Sequence, residues 1–337
     1  MVAQLPIEQI KEFLFKDDEI RKAIIDDYDL DGDRIRSPQD LTLQLVQALK
    51  QVAVEVPEIE KKDNAVVFEA AVLAIASSSS PWVAVQGKRE VIKNHLEGYN
   101  PADVVKQNQD ENFKKQLGDL LGGQAGSKNA SYVIKWAALL ADQPEFYQDI
   151  IVKIFSEFSK QLVCFPKHLK YPMAVLCLAG IFGNPVKQWK KLKPYKFPGM
   201  QVPIACEFLR NLGWSGFKPD RHVIRAIALW ENDLKEMHGD SVEKAFSHIV
   251  GLIGTTSKTI ICPIKAAIYA IYATPEGVDY SEADNLLWAF ISNTVNIRQK
   301  DIVNVWLQDQ LHMNQNSQEK YDKVTKLGIW PKSLICE

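Results

Sequence analysis

The sequence predicts an all-α protein, and three features of the 337-residue chain support that prediction. Apolar residues recur at helical rather than alternating spacing, for example in segments 41–54, 132–140 and 223–234. Only segments 54–59 and 258–264 are candidate strands, and each contains a proline, which weakens a strand assignment. Hydrophobic residues make up 46% of the chain and charged residues 24%, which is ordinary for a globular protein with a buried core.

The overall charge excludes some classes of function. The chain has 40 Lys and Arg against 42 Asp and Glu, a net charge of −2, so it does not coat polyanions by bulk charge. It contains no run of about 18 apolar residues and no signal-peptide core, so we expect a cytoplasmic protein that does not cross a membrane. Its five cysteines form no CxxC pair, which argues against a disulfide framework and a structural metal site.

Residues 1–115 are predicted to form a helical extension that is acidic at its start. One acidic segment, 27–33, imitates the beginning of an EF-hand loop. That loop requires a bidentate Glu at its twelfth position, where this chain has Pro38. A solvated acidic turn is therefore the preferred interpretation, and we predict no calcium site.

Segment 184–230 contains the most informative pattern in the chain. Asn184 is placed to cap a helix whose first residue is Pro185, and Pro194 ends that helix. Residues 197–201 then form a predicted tight turn.

A second helix is predicted to begin near Pro203 and to stop at Gly213. Its buried side is predicted to contain Ala205, Phe208 and Leu209. Asp220 stands where a third helix begins, so it is either an ordinary N-cap or a functional carboxylate.

Positive charge is concentrated in this segment. The segment contains nine basic residues and only two acidic residues, Glu207 and Asp220, which gives it a net charge of +7 within a chain of net charge −2. Two flanking helices and a glycine turn can bind a phosphate through backbone N–H groups and lysines. A solvated lysine face remains the alternative. The basic residues are Lys187, Lys190, Lys191, Lys193, Lys196, Arg210, Lys218, Arg221 and Arg225.

The motifs FPGMQVPIACEFLRNLG (197–213) and KPDRHVIR (218–225) resemble the helix-hairpin-helix DNA glycosylase superfamily. The superfamily pattern is L-P-G-V-G-x-K-T-A followed by D-x-H-V-x-R, and the distance from the hairpin to the aspartate also agrees. Upstream, LLGGQAGSKNA (120–130) is similar to the start of the superfamily's Gln-containing helix. The matching positions are Pro198, Gly199, Ala205, Leu209, Asp220, His222, Val223 and Arg225.

The resemblance implies roles for individual residues. Asp220 corresponds to the carboxylate that stabilises positive charge on the sugar while water attacks. Gln124 matches the residue that fills the gap left by a flipped base, although a solvated turn residue is the alternative. Trp136 and Trp214 are candidates to stack on a base, but tryptophans at helical spacing are commonly core residues. The candidate DNA-binding residues are Gly199, Gln201, Lys190, Lys191, Lys193, His222 and Arg225, of which the last two could instead only support the helix.

The sequence departs from the superfamily pattern at two hairpin positions. Gln201 replaces the second glycine, so the turn must form without a residue that is free at positive φ. Pro203 occupies the position of the lyase lysine and cannot form a Schiff base with the sugar. The Cys₄ iron–sulfur loop of one superfamily branch is also missing.

The sequence-based interpretation is an all-α, two-lobed protein with a helix-hairpin-helix motif and a DNA-binding cleft between the lobes. Residues 116–235 would form a helical barrel lobe with the hairpin at 187–212, while 1–115 and 236–337 would form the second lobe. The resemblance implies a monofunctional DNA glycosylase of base excision repair that acts on double-stranded DNA containing a damaged or modified base. We expect a monomer without cofactor or metal, cytoplasmic and nucleoid-associated when bound to DNA. A non-catalytic DNA-binding protein and a helical protein-interaction scaffold remain alternatives.

Overall fold

The computed structural model describes residues 4–49, 61–79, 82–122, 125–183, 197–254 and 258–294. Every regular element in these ranges is helical, and none of them contains a strand, which confirms the predicted all-α class. The candidate strand at 258–264 is instead the first part of a helix, Lys258–Ala273, which accommodates Pro263. The other candidate strand, 54–59, lies outside the described residues.

Fifteen α-helices are described, together with short 3₁₀ segments at Gly32–Arg34 and Glu97–Tyr99 and a π-helical segment at Tyr147–Val152. The helices are α1 (Ile7–Lys16), α2 (Asp18–Tyr28), α3 (Pro38–Leu49), α4 (Asn64–Ser79), α5 (Trp82–His95), α6 (Pro101–Lys106), α7 (Glu111–Leu121), α8 (Gly126–Ala141), α9 (Lys153–Gln161), α10 (Lys167–Gly183), α11 (Val202–Asn211), α12 (Arg221–Leu229), α13 (Glu231–Ile253), α14 (Lys258–Ala273) and α15 (Tyr280–Thr294).

The described residues form two compact units. The first contains those that fall within 1–49, 216–251 and 256–337, and the second contains those within 50–215 and 252–255. In the first unit α12 packs against α14 and α15, and α1 packs against α3 and α15. In the second unit α4 and α10 pack against α11, and α8 packs against α6 and α7.

The boundary at 215/216 differs from the sequence-based division, which placed the hairpin and Asp220 in one lobe at 116–235. The reason is that the two helices beside this boundary pack on different partners. Helix α11 packs on α4 and α10 of the second unit, whereas α12, which Asp220 caps, packs on α14 and α15 of the first. The N-terminal residues 1–49 group with the C-terminal helices.

Two glycines set the start of α8, the helix that supports the hairpin turn. A Cβ atom on Gly126 would overlap the backbone oxygen of Gly118 in α7, and a Cβ on Gly118 would lie 3.2 Å from the backbone nitrogen of Ser127. Only residues without a side chain allow the backbones of α7 and α8 to approach so closely. The two helices are thereby fixed together where α8 begins.

Candidate nucleic-acid-binding site and catalytic carboxylate

The hairpin turn is formed by Phe197, Pro198, Gly199 and Met200. The backbone N–H of Met200 donates a hydrogen bond to the backbone oxygen of Phe197 at 3.2 Å, which closes the turn. Gly199 has a φ of +80°. Proline followed by a residue at positive φ is the signature of a type II turn, and glycine adopts that conformation without strain.

Aromatic packing anchors this turn in the second unit. The Phe197 ring is fully buried, with its centroid 5.5 Å from that of Trp136 and 5.4 Å from those of Phe146 and Phe208. The indole N–H of Trp136 donates a hydrogen bond to the backbone oxygen of Pro198 at 2.9 Å. The turn is therefore held against α8 by both an apolar and a polar contact.

Tyr132, one helical turn before Trp136, covers the glycine of the hairpin. A Cβ atom on Gly199 would overlap ring carbons Cδ2 and Cε2 of Tyr132. Gly199 is thus required for two independent reasons, its positive φ and the closeness of this ring.

The start of α11 shows how the turn forms without a second glycine. Gln201 precedes the helix with φ −99° and ψ 167°, an extended conformation that any residue adopts, so positive φ is not needed there. Its side chain is exposed and makes no capping hydrogen bond. Within the described part of the chain, the backbone N–H groups of Gly199 and Gln201 make no hydrogen bond. Such N–H groups at a turn and a helix start are donors suited to a phosphate oxygen.

Close packing of α10 on α11 fixes the direction of the second hairpin helix. A Cβ on Gly183, the last residue of α10, would lie 2.6 Å from the backbone nitrogen of Val202. The predicted buried positions of α11 are confirmed, because Ala205, Phe208 and Leu209 are all fully buried. The helix begins and ends within about two residues of the predicted positions.

Asp220 is the N-cap of α12, in the first unit. Its Oδ1 accepts hydrogen bonds from the backbone N–H groups of His222 at 2.7 Å and Val223 at 3.3 Å. Both bonds use the same oxygen, and Oδ2 makes no hydrogen bond within the described residues. The side chain is half-buried. Oδ1 therefore caps the helix, while Oδ2 retains its capacity to accept a hydrogen bond from a ligand.

Helix α15 holds the loop that leads to Asp220. The buried carboxylate of Asp284 accepts a hydrogen bond from the backbone N–H of Lys218 through Oδ1 at 2.8 Å. The hydroxyl of Ser281 accepts a hydrogen bond from the backbone N–H of Gly216 at 3.2 Å and donates one to the backbone oxygen of Gly216 at 3.4 Å. Residues 216–220 are thus fixed to a neighbouring helix, which limits the positions that the Asp220 carboxylate can take.

His222, which the sequence interpretation offered as either a DNA contact or a support of the helix, is buried at 4% exposure. Its Nε2 accepts a hydrogen bond from Nε of Arg221 at 3.2 Å, and its ring centroid lies 5.4 Å from that of Trp288 in α15. A side chain enclosed in this way supports α12 from inside the unit. The DNA-contact role of His222 is corrected to packing of α12 on α15.

Trp136 and Trp214, the candidate base-pocket residues, lie in the core with at most 1% exposure. The indole N–H of Trp136 donates a hydrogen bond to the hairpin turn. The indole N–H of Trp214 donates one to the hydroxyl of Tyr147 at 3.1 Å. The Trp214 ring is also enclosed by Phe155 and Tyr171. A buried indole offers no free face to a base, so both assignments are corrected to core packing.

Several predicted site residues lie outside the described part of the chain. These are Gln124, Lys190, Lys191, Lys193 and the side chain of Arg225, together with the predicted first hairpin helix after Asn184. The described ranges contain no cluster of three or more His, Cys, Asp or Glu side chains that could bind a metal ion. Of the helices described, none has the length and apolar character needed to cross a bilayer.

Sequence reasoning missed Tyr132, Ser281 and Asp284. Tyr132 lies in a segment predicted to be helical, but its contact with Gly199 joins residues 67 positions apart and no local pattern signals it. Asp284 lies three and seven positions before Leu287 and Ile291, on the buried side of α15. A carboxylate at a position that helical spacing places in the core is a usable signal, because a buried carboxylate requires a partner.

Removal of the Asp284 carboxylate tests whether α15 positions Asp220. The Asp284→Ala variant leaves the Lys218 N–H without its acceptor, so we expect a loss of about 1–3 kcal/mol in unfolding free energy. The Asp284→Asn variant keeps an Oδ1 acceptor and should lose less. Chemical denaturation of both variants measures the difference, and equal stability of the two would contradict the positioning role of this hydrogen bond.

No protein-family model matches this sequence, and neither a curated protein nor a solved structure shows significant similarity to the chain. The resemblance to the glycosylase superfamily therefore depends on the residues of segments 120–130, 197–213 and 218–225.

Proposed function

We propose that this protein is a monofunctional DNA glycosylase, which removes a damaged or modified base from double-stranded DNA and leaves an abasic site. The observation that carries the proposal is the Asp220 carboxylate, whose Oδ1 caps α12 while Oδ2 has no hydrogen-bond partner in the described part of the chain. It follows a hairpin turn, with Gly199 at positive φ, at the spacing of the resembled superfamily. The two-lobed arrangement with a DNA-binding cleft belongs to this proposal.

The proposed reaction needs one carboxylate and one water molecule. As the N-glycosidic bond breaks, its electron pair leaves with the base and positive charge develops on the sugar ring. The negative charge of Asp220 stabilises this oxocarbenium-like state. Water then attacks C1′, the departing base takes up a proton, and the products are the free base and an abasic sugar with an intact backbone.

The hairpin supplies the DNA-binding part of the proposal. The N–H groups of Gly199 and Gln201, which form no hydrogen bond among the residues that the structure describes, are donors for a backbone phosphate. The helix dipole of α11 favours an anion at this end. Contacts of this type position a protein on DNA without reading its sequence. The base that is excised is selected elsewhere in the protein.

Proline at position 203 predicts the absence of lyase activity. Pro203 is the second residue of α11 and has no amine to form a Schiff base with the abasic sugar. We expect that borohydride traps no covalent protein–DNA adduct during the reaction, as judged by denaturing electrophoresis. Efficient trapping would show that another lysine performs this chemistry and would contradict the monofunctional mechanism.

The second candidate is a non-catalytic DNA-binding protein with the same hairpin. The capping bonds of Asp220 favour it, since a helix cap is useful without catalysis. Incubation with end-labelled duplexes, each containing one modified base, separates the two functions. The glycosylase produces strand breaks only after alkaline treatment, whereas the binding protein produces none.

A further inference from the structure

One exposed face of α8 carries two lysines and a tyrosine beside the hairpin turn. Lys128, Tyr132 and Lys135 are separated by four and three positions, which places them on the same side of a helix. Both lysines are exposed and Tyr132 is half-buried. Helix α8 contains no Asp or Glu, so its own side chains bring only positive charge to this face, in a chain of net charge −2.

The two lysines are also unpaired in the described structure. Neither Lys128 nor Lys135 forms an ion pair with a carboxylate in the ranges that the structure describes. Lys114 on the adjacent α7 behaves differently, since its Nζ lies 2.7 Å from the carboxylate of Glu111. A lysine that forms no ion pair with a neighbouring carboxylate keeps its charge available to attract an external anion.

The α8 face that carries Lys128 and Lys135 contacts the hairpin turn. The Tyr132 ring covers Gly199, and Nζ of Lys128 lies 5.8 Å from the centroid of that ring, within the range of a cation–π contact. Trp136, on the same helix, holds the backbone oxygen of Pro198. A single rigid helix therefore positions both the turn and the two cations.

We propose that this α8 face binds phosphate groups of the DNA backbone, continuing the contact made by the hairpin turn. Lys135 follows Lys128 by seven helical positions, about 10 Å along the helix axis, which corresponds to the axial rise of about three phosphates in one DNA strand. Lysine suits such contacts because its ammonium group is a point charge on a flexible chain. The inference rests on the proposed function only in taking duplex DNA as the ligand, and it does not depend on base excision.

A pair of double variants tests this assignment. The probe is a fluorescein-labelled duplex with a tetrahydrofuran abasic-site analogue, and its affinity is measured by anisotropy between about 50 and 200 mM salt. Lys128→Gln with Lys135→Gln should weaken binding roughly tenfold at about 100 mM salt and reduce the magnitude of the salt slope by about 2. Lys88→Gln with Lys93→Gln, which removes two exposed lysines from α5 of the same unit, should leave both quantities close to those of the wild type.

Two results would overturn the inference. The first is an equal affinity and salt slope for the two double variants, because the α8 lysines would then contribute no more than other surface charges. The second is displacement of the duplex by poly-glutamate as efficiently as by unlabelled duplex, which would assign the face to acidic polypeptides. Base release from a modified duplex is measured in parallel and reports on the glycosylase proposal alone, so binding without base release would contradict that proposal while leaving the α8 result intact.

Discussion

Replacement of Asp220 by Asn should abolish most of the base-releasing activity while leaving the protein folded. Asn caps helices about as well as Asp, and its Oδ1 can accept the same bonds from the N–H groups of His222 and Val223. The variant lacks the negative charge on the second oxygen, which the oxocarbenium-like state requires. Loss of such electrostatic stabilisation costs about 3 kcal/mol or more, a reduction in rate of about a hundredfold or greater. Single-turnover kinetics of base release measures this change.

A second capping aspartate provides the control for this substitution. Asp17 caps α2 in the same unit, and its Oδ1 accepts from the N–H groups of Glu19 and Ile20 in the same way. Asp17→Asn and Asp220→Asn should therefore melt at similar temperatures, and only the second should lose activity. A variant Asp220→Asn that keeps full activity would identify Asp220 as a structural cap only.

Replacement of Gly199 by Ala should have the second largest effect. The residue has a φ of +80°, which costs an L-amino acid about 1–2 kcal/mol, and its Cβ would overlap the ring of Tyr132. The turn must then shift, and the N–H groups of Gly199 and Gln201 shift with it. We expect a loss of about tenfold or more in duplex affinity, measured by anisotropy, together with a lower melting temperature.

Two further variants isolate the cause of this effect. Gly87→Ala in α5 introduces the same methyl group into open space and should be neutral or slightly stabilising. Tyr132→Ala combined with Gly199→Ala removes the steric overlap, so the double variant should lose less stability than the sum of the single variants. Strict additivity, or a Gly199→Ala variant that binds and melts like Gly87→Ala, would contradict the role assigned to this turn.

Local sequence patterns predicted much of the fold around the site. Proline and glycine placed the hairpin turn, apolar spacing placed the buried side of α11, and Asp220 was expected at the start of a helix, as observed. These features depend on backbone preferences within a few residues, which single sequences report directly.

The remaining features depend on long-range contacts. The division at 215/216 arises because α12 packs on α14 and α15, and nothing within segment 216–220 signals those partners. The same reason explains why Tyr132 was missed and why Trp136 was considered for a base pocket. A tryptophan at helical spacing suits either the core or a ligand, and the observed burial of Trp136 together with its hydrogen bond to Pro198 assigns it to the core.

Mass spectrometry of released bases measures the hydrolysis of an N-glycosidic bond and its dependence on Asp220. Wild-type protein and Asp220→Asn are incubated with a panel of duplexes containing alkylated, oxidised or deaminated bases, and the filtrate is analysed for free base. We expect the wild type to release at least one of these bases and Asp220→Asn to release it at about one hundredth of the rate or less. Duplex binding by the wild type without release of any base, or equal release by both proteins, would contradict catalysis by Asp220.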